Sequence, residues 1–174
     1  FLSGVGHPII GFDHLAFVLA IGVLAAFQKH RLILPFGFVI GTVIGSFLPL
    51  AAVTLPLTEL MITLSVLFAG LTVMRGRDVA VLPATILGAL AGLFHGAAYG
   101  EAVIGAETTP IITYLAGFGL TQLAIMLAAG FVMQQIWKAA SMAELKPRLA
   151  GALLAGVGVT YLVEHAEQFL FYAM

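Results

Sequence analysis

Six stretches of mostly apolar residues, each near the roughly 20 that a helix needs to cross a bilayer, divide this chain almost end to end. They fall at 8–27, 32–53, 57–74, 79–100, 110–135 and 149–171. The breaks between them carry turn or charge signals: Gln28-Lys29-His30-Arg31, Leu55-Pro56, Arg75-Gly76-Arg77-Asp78, Glu107-Thr108-Thr109-Pro110, and Lys138 through Arg148. The second break is nearly uncharged and rests on Pro49 and Pro56, which bracket a turn. The expected fold class is all-α: a polytopic membrane protein, a bundle of six transmembrane helices forming a single transmembrane domain over 1–174.

The basic residues give this count an internal check. Lys29, Arg31, Arg75, Arg77, Lys138, Lys146 and Arg148 are all of the Lys and Arg in the chain. With six spans, every one falls in the first, third or fifth loop, on a single face. Cytoplasmic loops are enriched in Lys and Arg, so both termini are expected outside. A wrong helix count would scatter these charges over both faces.

Only 9% of the residues are charged and 61% are hydrophobic, against about 25% charged in a soluble domain. The net charge of −1 excludes a surface built for polyanions, and no nucleic-acid partner is expected. Cysteine is absent, which removes disulfides and thiolate sites and leaves His, carboxylate, backbone and Met as metal ligands. The chain opens at Phe1, without Met and without the basic and apolar regions of a signal peptide. An upstream piece already removed would fit an exterior amino terminus.

Ionisable groups inside apolar spans are expensive, and their first reading is functional. Threaded through six spans, they gather in the outer third of the bilayer. Asp13 and His14 enter from the first span, with His7 just before it. Glu59 lies near the outer end of the third span, His95 and Glu101 near that of the fourth, and Glu164, His165 and Glu167 near that of the sixth. His30 alone falls on the cytoplasmic side, among Lys29 and Arg31, as a solvated loop residue. Imidazole with carboxylate suits a divalent nickel, cobalt or zinc ion.

His14 follows His7 by two helical turns, so one continuous helix would place both on nearly the same face, with Pro8 in its first turn and His7 at the cap. Asp13 either ligates directly or orients an imidazole. The competing reading is an Asp and His pair capping a helix at the interface. His95 and Tyr99 share a face of the fourth span, and Tyr161 and His165 one of the sixth. Against these stand a buried His satisfied by a neighbour and an interfacial polar helix end with Tyr in an aromatic belt. Glu59 is equally readable as an ordinary acidic residue in a first turn, and Met61 as core. Gly37, Gly41 and Gly45 repeat at every fourth position of the second span, and Gly88, Gly92, Gly96 and Gly100 do so in the fourth. Such stripes let backbones approach closely, and the second lies beside His95. No internal repeat of three plus three inverted helices is visible in the residues.

Two motifs carry a resemblance. His-Pro-Ile-Ile-Gly-Phe-Asp-His over residues 7–14, with Phe-His-Gly-Ala-Ala-Tyr-Gly-Glu over 94–101, resembles the HupE/UreJ family of hydrogenase- and urease-associated metal permeases, and the likeness extends over essentially the whole chain. It implies that His7, Asp13 and His14 match the family's first functional motif and His95 and Glu101 its second. Many members carry further histidines just after the Phe-His-Gly step, where this chain has Ala97 and Tyr99. That departure leaves nickel against cobalt open and shifts weight to Glu164 and His165. Members often bear a cleaved signal peptide.

The expected function is a permease of the bacterial inner membrane that imports a divalent transition metal, nickel or cobalt, as its transported substrate. No organic cofactor and no enzymatic activity are expected, and the absence of a nucleotide-binding motif argues against ATP-driven transport within the chain. The implied partners are the metal ion and the lipid bilayer, with a cytoplasmic metallochaperone and a homo-oligomeric assembly left open. The alternatives are an intramembrane metal-dependent enzyme, a haem-binding subunit, and a metal-binding subunit that passes no ion.

Overall fold

The computed structural model describes residues 1–101 and 108–172. Among them every regular element is helical: α1 (Leu2–Ile10), α2 (Phe12–Ala26), α3 (Ile33–Leu50), α4 (Thr58–Arg75), α5 (Val81–Glu101), α6 (Thr108–Phe131), a π-helical turn (Val132–Ile136), and α7 (Leu145–Tyr172). The helices α3, α4, α5, α6 with its π turn, and α7 are each long and apolar enough to cross a membrane, which makes five candidate spans, or six if the bent pair α1 and α2 is counted as one. The break expected over 107–110 lies partly outside the described residues.

The first span is where the structure departs from the sequence reading. The helix expected at 8–27 is instead two helices bent by 88°, with Gly11 in extended backbone (φ −80°, ψ 108°) between them. Pro8 sits near the end of α1 rather than in a first turn. The bend follows from packing. Gly4 lies against the backbone carbonyl of Tyr114 on α6, and a Cβ at Gly117 would stand 2.6 Å from the Phe1 carbonyl oxygen. With α1 held across α6, α2 has 15 residues, or about 22 Å of rise, short of the roughly 30 Å hydrocarbon core.

Burial reverses the usual soluble pattern. Phe36, Ile40, Ile44 and Phe47 on α3 and Ile86, Leu87 and Leu90 on α5 are exposed, while Thr42, Ser46, Thr63, His95 and Gln122 are buried. Apolar side chains thus face lipid, and polar groups collect inside the bundle, where another polar group can meet them. The helix at the centre is α2, nearly continuously buried from Ala16 to Ala26, as an element apolar on all sides must be.

Small residues set the pairings. A Cβ at Gly41 would strike the carbonyl of Ala89, one at Gly45 that of Leu93, and one at Gly96 that of Thr42, so the two glycine stripes face each other and α3 runs parallel to α5. Parallel packing also joins α2 to α6, through Gly22 on the backbone of Met126 and Gly130 near Ala26. By contrast α4 and α7 are antiparallel, with Gly70 on Ala155 and Gly158 on Leu67. Exchanging α2–α3–α4 with α5–α6–α7 turns the α2/α6 pair into α5/α3 and returns α4/α7 to itself, every helix direction reversed. That is the pairing scheme of an inverted repeat, absent from the residues and present in the packing. The symmetry is partial, since α2 packs on α4 and α5 makes no comparable contact with α7.

The loops bearing the basic residues converge on one end of the bundle. Arg31 donates to Gln134 Oε1 at 2.6 Å, and Arg148 Nε donates to the Met74 carbonyl at 3.1 Å. At this basic end α4 stops at Gly76, whose φ of +66° is the left-handed conformation that closes helices with least strain in glycine.

Candidate metal centre

At the opposite end, His14 occupies the first turn of α2. Its Nδ1 is 2.7 Å from Asp13 Oδ1, and the same oxygen accepts the His14 backbone N–H at 2.7 Å. A carboxylate only accepts, so the His14 proton resides on Nδ1 and the lone pair on Nε2. That nitrogen is buried and has no protein partner. An imidazole oriented by a carboxylate, with its far nitrogen free, is the usual outer arrangement of a metal-ligating histidine. Of the two roles open to Asp13, the geometry matches the orienting one.

The same proton count applies to His95 on α5, which is fully buried. Its Nε2 is 2.9 Å from Ser65 Oγ on α4, and that hydroxyl lies 2.7 Å from the Ile62 carbonyl. Ser65 has one proton and its helix carbonyl takes it, so the hydroxyl accepts from His95 Nε2–H. His95 Nδ1 is left with the lone pair, buried and without a partner.

The two rings meet edge-on, with centroids 4.8 Å apart and planes at 78°. An ion bound at about 2.0–2.1 Å from a ring nitrogen stands about 3.2 Å from that ring's centre. Rings sharing one ion therefore lie within about 6.4 Å of each other, and this pair meets the limit. Phe17 and Phe38 pack on the inner side of His95 at centroid distances of 4.6 and 5.8 Å. The Gly96 contact with α3 leaves the His95 backbone little room to shift.

Tyr99, one turn along α5 from His95, links the pair to His7. Its ring lies 4.4 Å from that of His14 and 4.6 Å from that of His7, and its hydroxyl is buried without a partner. His7 Nδ1 is 2.6 Å from the Tyr114 hydroxyl on α6. The reason expected for the nearness of His7 and His14, a shared face of one helix, does not hold, because Gly11 breaks that helix. The bend itself folds α1 back so that both rings reach Tyr99.

The remaining candidates stand apart. Glu59 at the start of α4, Glu101 at the end of α5 and Glu164 on α7 are exposed. His165 Nε2 is 3.1 Å from Thr63 Oγ1, joining α7 to α4. Among the described residues no group of three or more His, Cys, Asp or Glu side chains is arranged to hold an ion. What the structure brings together is two imidazoles, His14 and His95, with Tyr99 beside them. Ser65 and Tyr114 escaped the sequence reading, and the one available signal for Ser65 was a hydroxyl in an apolar span, shared with Thr63 and Thr72.

A family model described as HupE / UreJ protein matches residues 1–161. The chain is also similar to a curated protein named Protein HupE from Rhizobium leguminosarum bv. viciae, at 32% identity over 166 residues, covering 93% of this chain and 84% of that protein. No solved structure matches.

Proposed function

The chain belongs to the HupE/UreJ family, and on that footing we propose that it is a permease that takes a divalent nickel or cobalt ion through the bacterial inner membrane toward the cytoplasm. The observation that carries the reading is the pair of buried, unpartnered nitrogens, His14 Nε2 and His95 Nδ1, on rings 4.8 Å apart. Burying a polar atom without a partner costs about 1–3 kcal/mol. Two such atoms on neighbouring rings of separate helices are accounted for if a cation bridges them during its passage.

A ligand set of this kind suits transit. Structural metal sites close all four positions with protein ligands, whereas a conducted ion must bind well enough to enter and weakly enough to leave. Two imidazoles leave positions for water, and His7 and Tyr99 stand at the outer side where an ion would arrive. Exposed Glu101, Glu164 and Glu59, with His165, are proposed as groups that raise the local cation concentration at that end. The proposed direction is supported by the basic loops, all at the end away from the imidazoles, because Lys and Arg are enriched in cytoplasmic loops. A transporter-type accessory family also fits a role other than catalysis.

The test is nickel and cobalt entry into sealed vesicles holding the purified protein and an internal metal-sensitive dye. Entry should depend on His14 and His95, with His14→Ala and His95→Ala folded but inactive. Wild-type protein that binds the ion and passes none would refute the permease reading. Hydrolytic turnover dependent on His95 would favour the intramembrane enzyme.

A further inference from the structure

A second polar contact lies inside the bundle, deeper than the imidazoles and on no motif. Gln122 of α6 is completely buried, as is Thr42 of α3. The Thr42 hydroxyl is 3.0 Å from the Gln122 amide and 2.8 Å from the carbonyl of Val39 in its own helix. The other heavy atom of the amide is buried with no partner. One hydroxyl cannot give its single proton to two acceptors. The local helix carbonyl is the nearer and better placed, so the amide group facing Thr42 must be the donor, its NH2. The two ends of a carboxamide are assigned from such networks. The unpartnered atom is then the amide oxygen, an acceptor held free in the interior.

Its position follows from helix register. Gly22 packs on Met126 where α2 and α6 run in parallel. One turn earlier on each helix sets Gln122 level with Val18, a single turn, about 5.4 Å, past His14 toward the basic end. Thr42 meets Gly96, the neighbour of His95. A further turn along the same α2/α6 seam begins a cavity of about 190 Å³, lined by Gly22, Ala26, Met126, Gly130 and Gln134 and reaching Arg31 at the basic end. Imidazole pair, amide oxygen and cavity therefore lie at successive depths toward the basic end.

We propose that Gln122, oriented by Thr42, is the second station for the ion, its amide oxygen receiving the partly hydrated cation as it leaves the imidazoles. This rests on the permease reading. A neutral oxygen suits the task because a bare divalent ion cannot cross apolar side chains without replacement of its lost water. A carboxylate there would hold the ion too tightly for onward movement. The step is a transfer of coordination with no covalent or redox change.

The experiment compares wild type, Gln122→Met and Gln122→Glu in two measurements: nickel binding to purified protein by calorimetry, and nickel entry into sealed vesicles. Methionine keeps the side-chain length and removes the oxygen. Q122M should bind nickel within about twofold of wild type, since both imidazoles are intact, while entry falls by at least about tenfold, the order expected for one lost charge-assisted contact. Q122E restores an oxygen, so it should bind more tightly than wild type yet turn over more slowly. Q122M with wild-type entry overturns the station, and so does Q122M that loses binding in proportion to entry, which would make Gln122 part of the imidazole site or of its support. Should Q122M not fold, Q122E decides: unchanged affinity and entry in that variant overturn the proposal equally. Wild type that binds but does not pass nickel overturns the permease reading and the station together, and is told apart by its own vesicle trace.

Discussion

Removing the Ser65 hydroxyl should impair metal binding although Ser65 never touches the ion. Its Oγ accepts the His95 Nε2 proton at 2.9 Å and so fixes which ring nitrogen carries the lone pair. In Ser65→Ala the ring has no partner at either nitrogen, and the environment is fully buried. The tautomer with the proton on Nδ1, which cannot ligate from that atom, becomes as accessible as the productive one. The unpaired N–H left behind destabilises the protein by about 1–3 kcal/mol. Loss of such an orienting partner typically lowers metal affinity by about 10–100-fold, or about 1.4–2.8 kcal/mol. Nickel calorimetry on the purified protein reads the affinity, and a thermal melt in the same detergent reads the stability. Ser65→Thr keeps the hydroxyl and should recover most of both. Ser65→Ala binding within twofold of wild type, or Ser65→Thr failing as badly as alanine, would refute the proton count and with it the assignment of Nδ1 as the ligating atom.

Three more outcomes follow from the same geometry. One Asp13 oxygen accepts both the His14 ring proton and its backbone N–H, so Asp13→Asn should keep the tautomer and lose no more than about tenfold in nickel affinity, whereas Asp13→Ala should lose more, toward about 100-fold; calorimetry ranks the two. Gly96→Ala would drive a methyl into the Thr42 carbonyl and force α3 from α5, so its melting temperature should fall well below wild type. Gly156→Ala, with nothing within 4 Å of the added carbon, should hold or gain up to about 1 kcal/mol from helix propensity. Lowering the pH from 7.5 toward 5.5 should weaken nickel binding progressively, because protons compete for the imidazole lone pairs; affinity measured across that range should never rise on acidification.

The six-span plan was open to a sequence reading because bilayer thickness imposes a length and the lipid imposes an apolar surface, and both are written residue by residue. Asp13, His14 and His95 stood out for the complementary reason, that ionisable groups are costly in apolar spans, while helix capping and a buried, satisfied His remained open beside the functional reading. The bend at Gly11 was not. Ile9, Ile10 and Phe12 flank it, so hydropathy runs straight through, and the turn is fixed by Gly4 and Gly117 packing between α1 and α6, elements more than a hundred residues apart. The glycine stripes of α3 and α5 could be read as packing faces, yet nothing in either stripe says that its partner is the other. Ser65, Tyr114, Thr42 and Gln122 share that limit. Each is an uncharged polar residue among several in an apolar span, and what singles it out is the atom opposite.

The most direct test is anomalous scattering from crystals soaked in nickel or cobalt, measured at the metal edge. A single peak within about 2.0–2.2 Å of both His14 Nε2 and His95 Nδ1, with Asp13 remaining on His14 Nδ1, is the result this account predicts. A peak held by the Asp13 carboxylate, or by His165 with Glu164, with the two imidazoles unengaged, would contradict it.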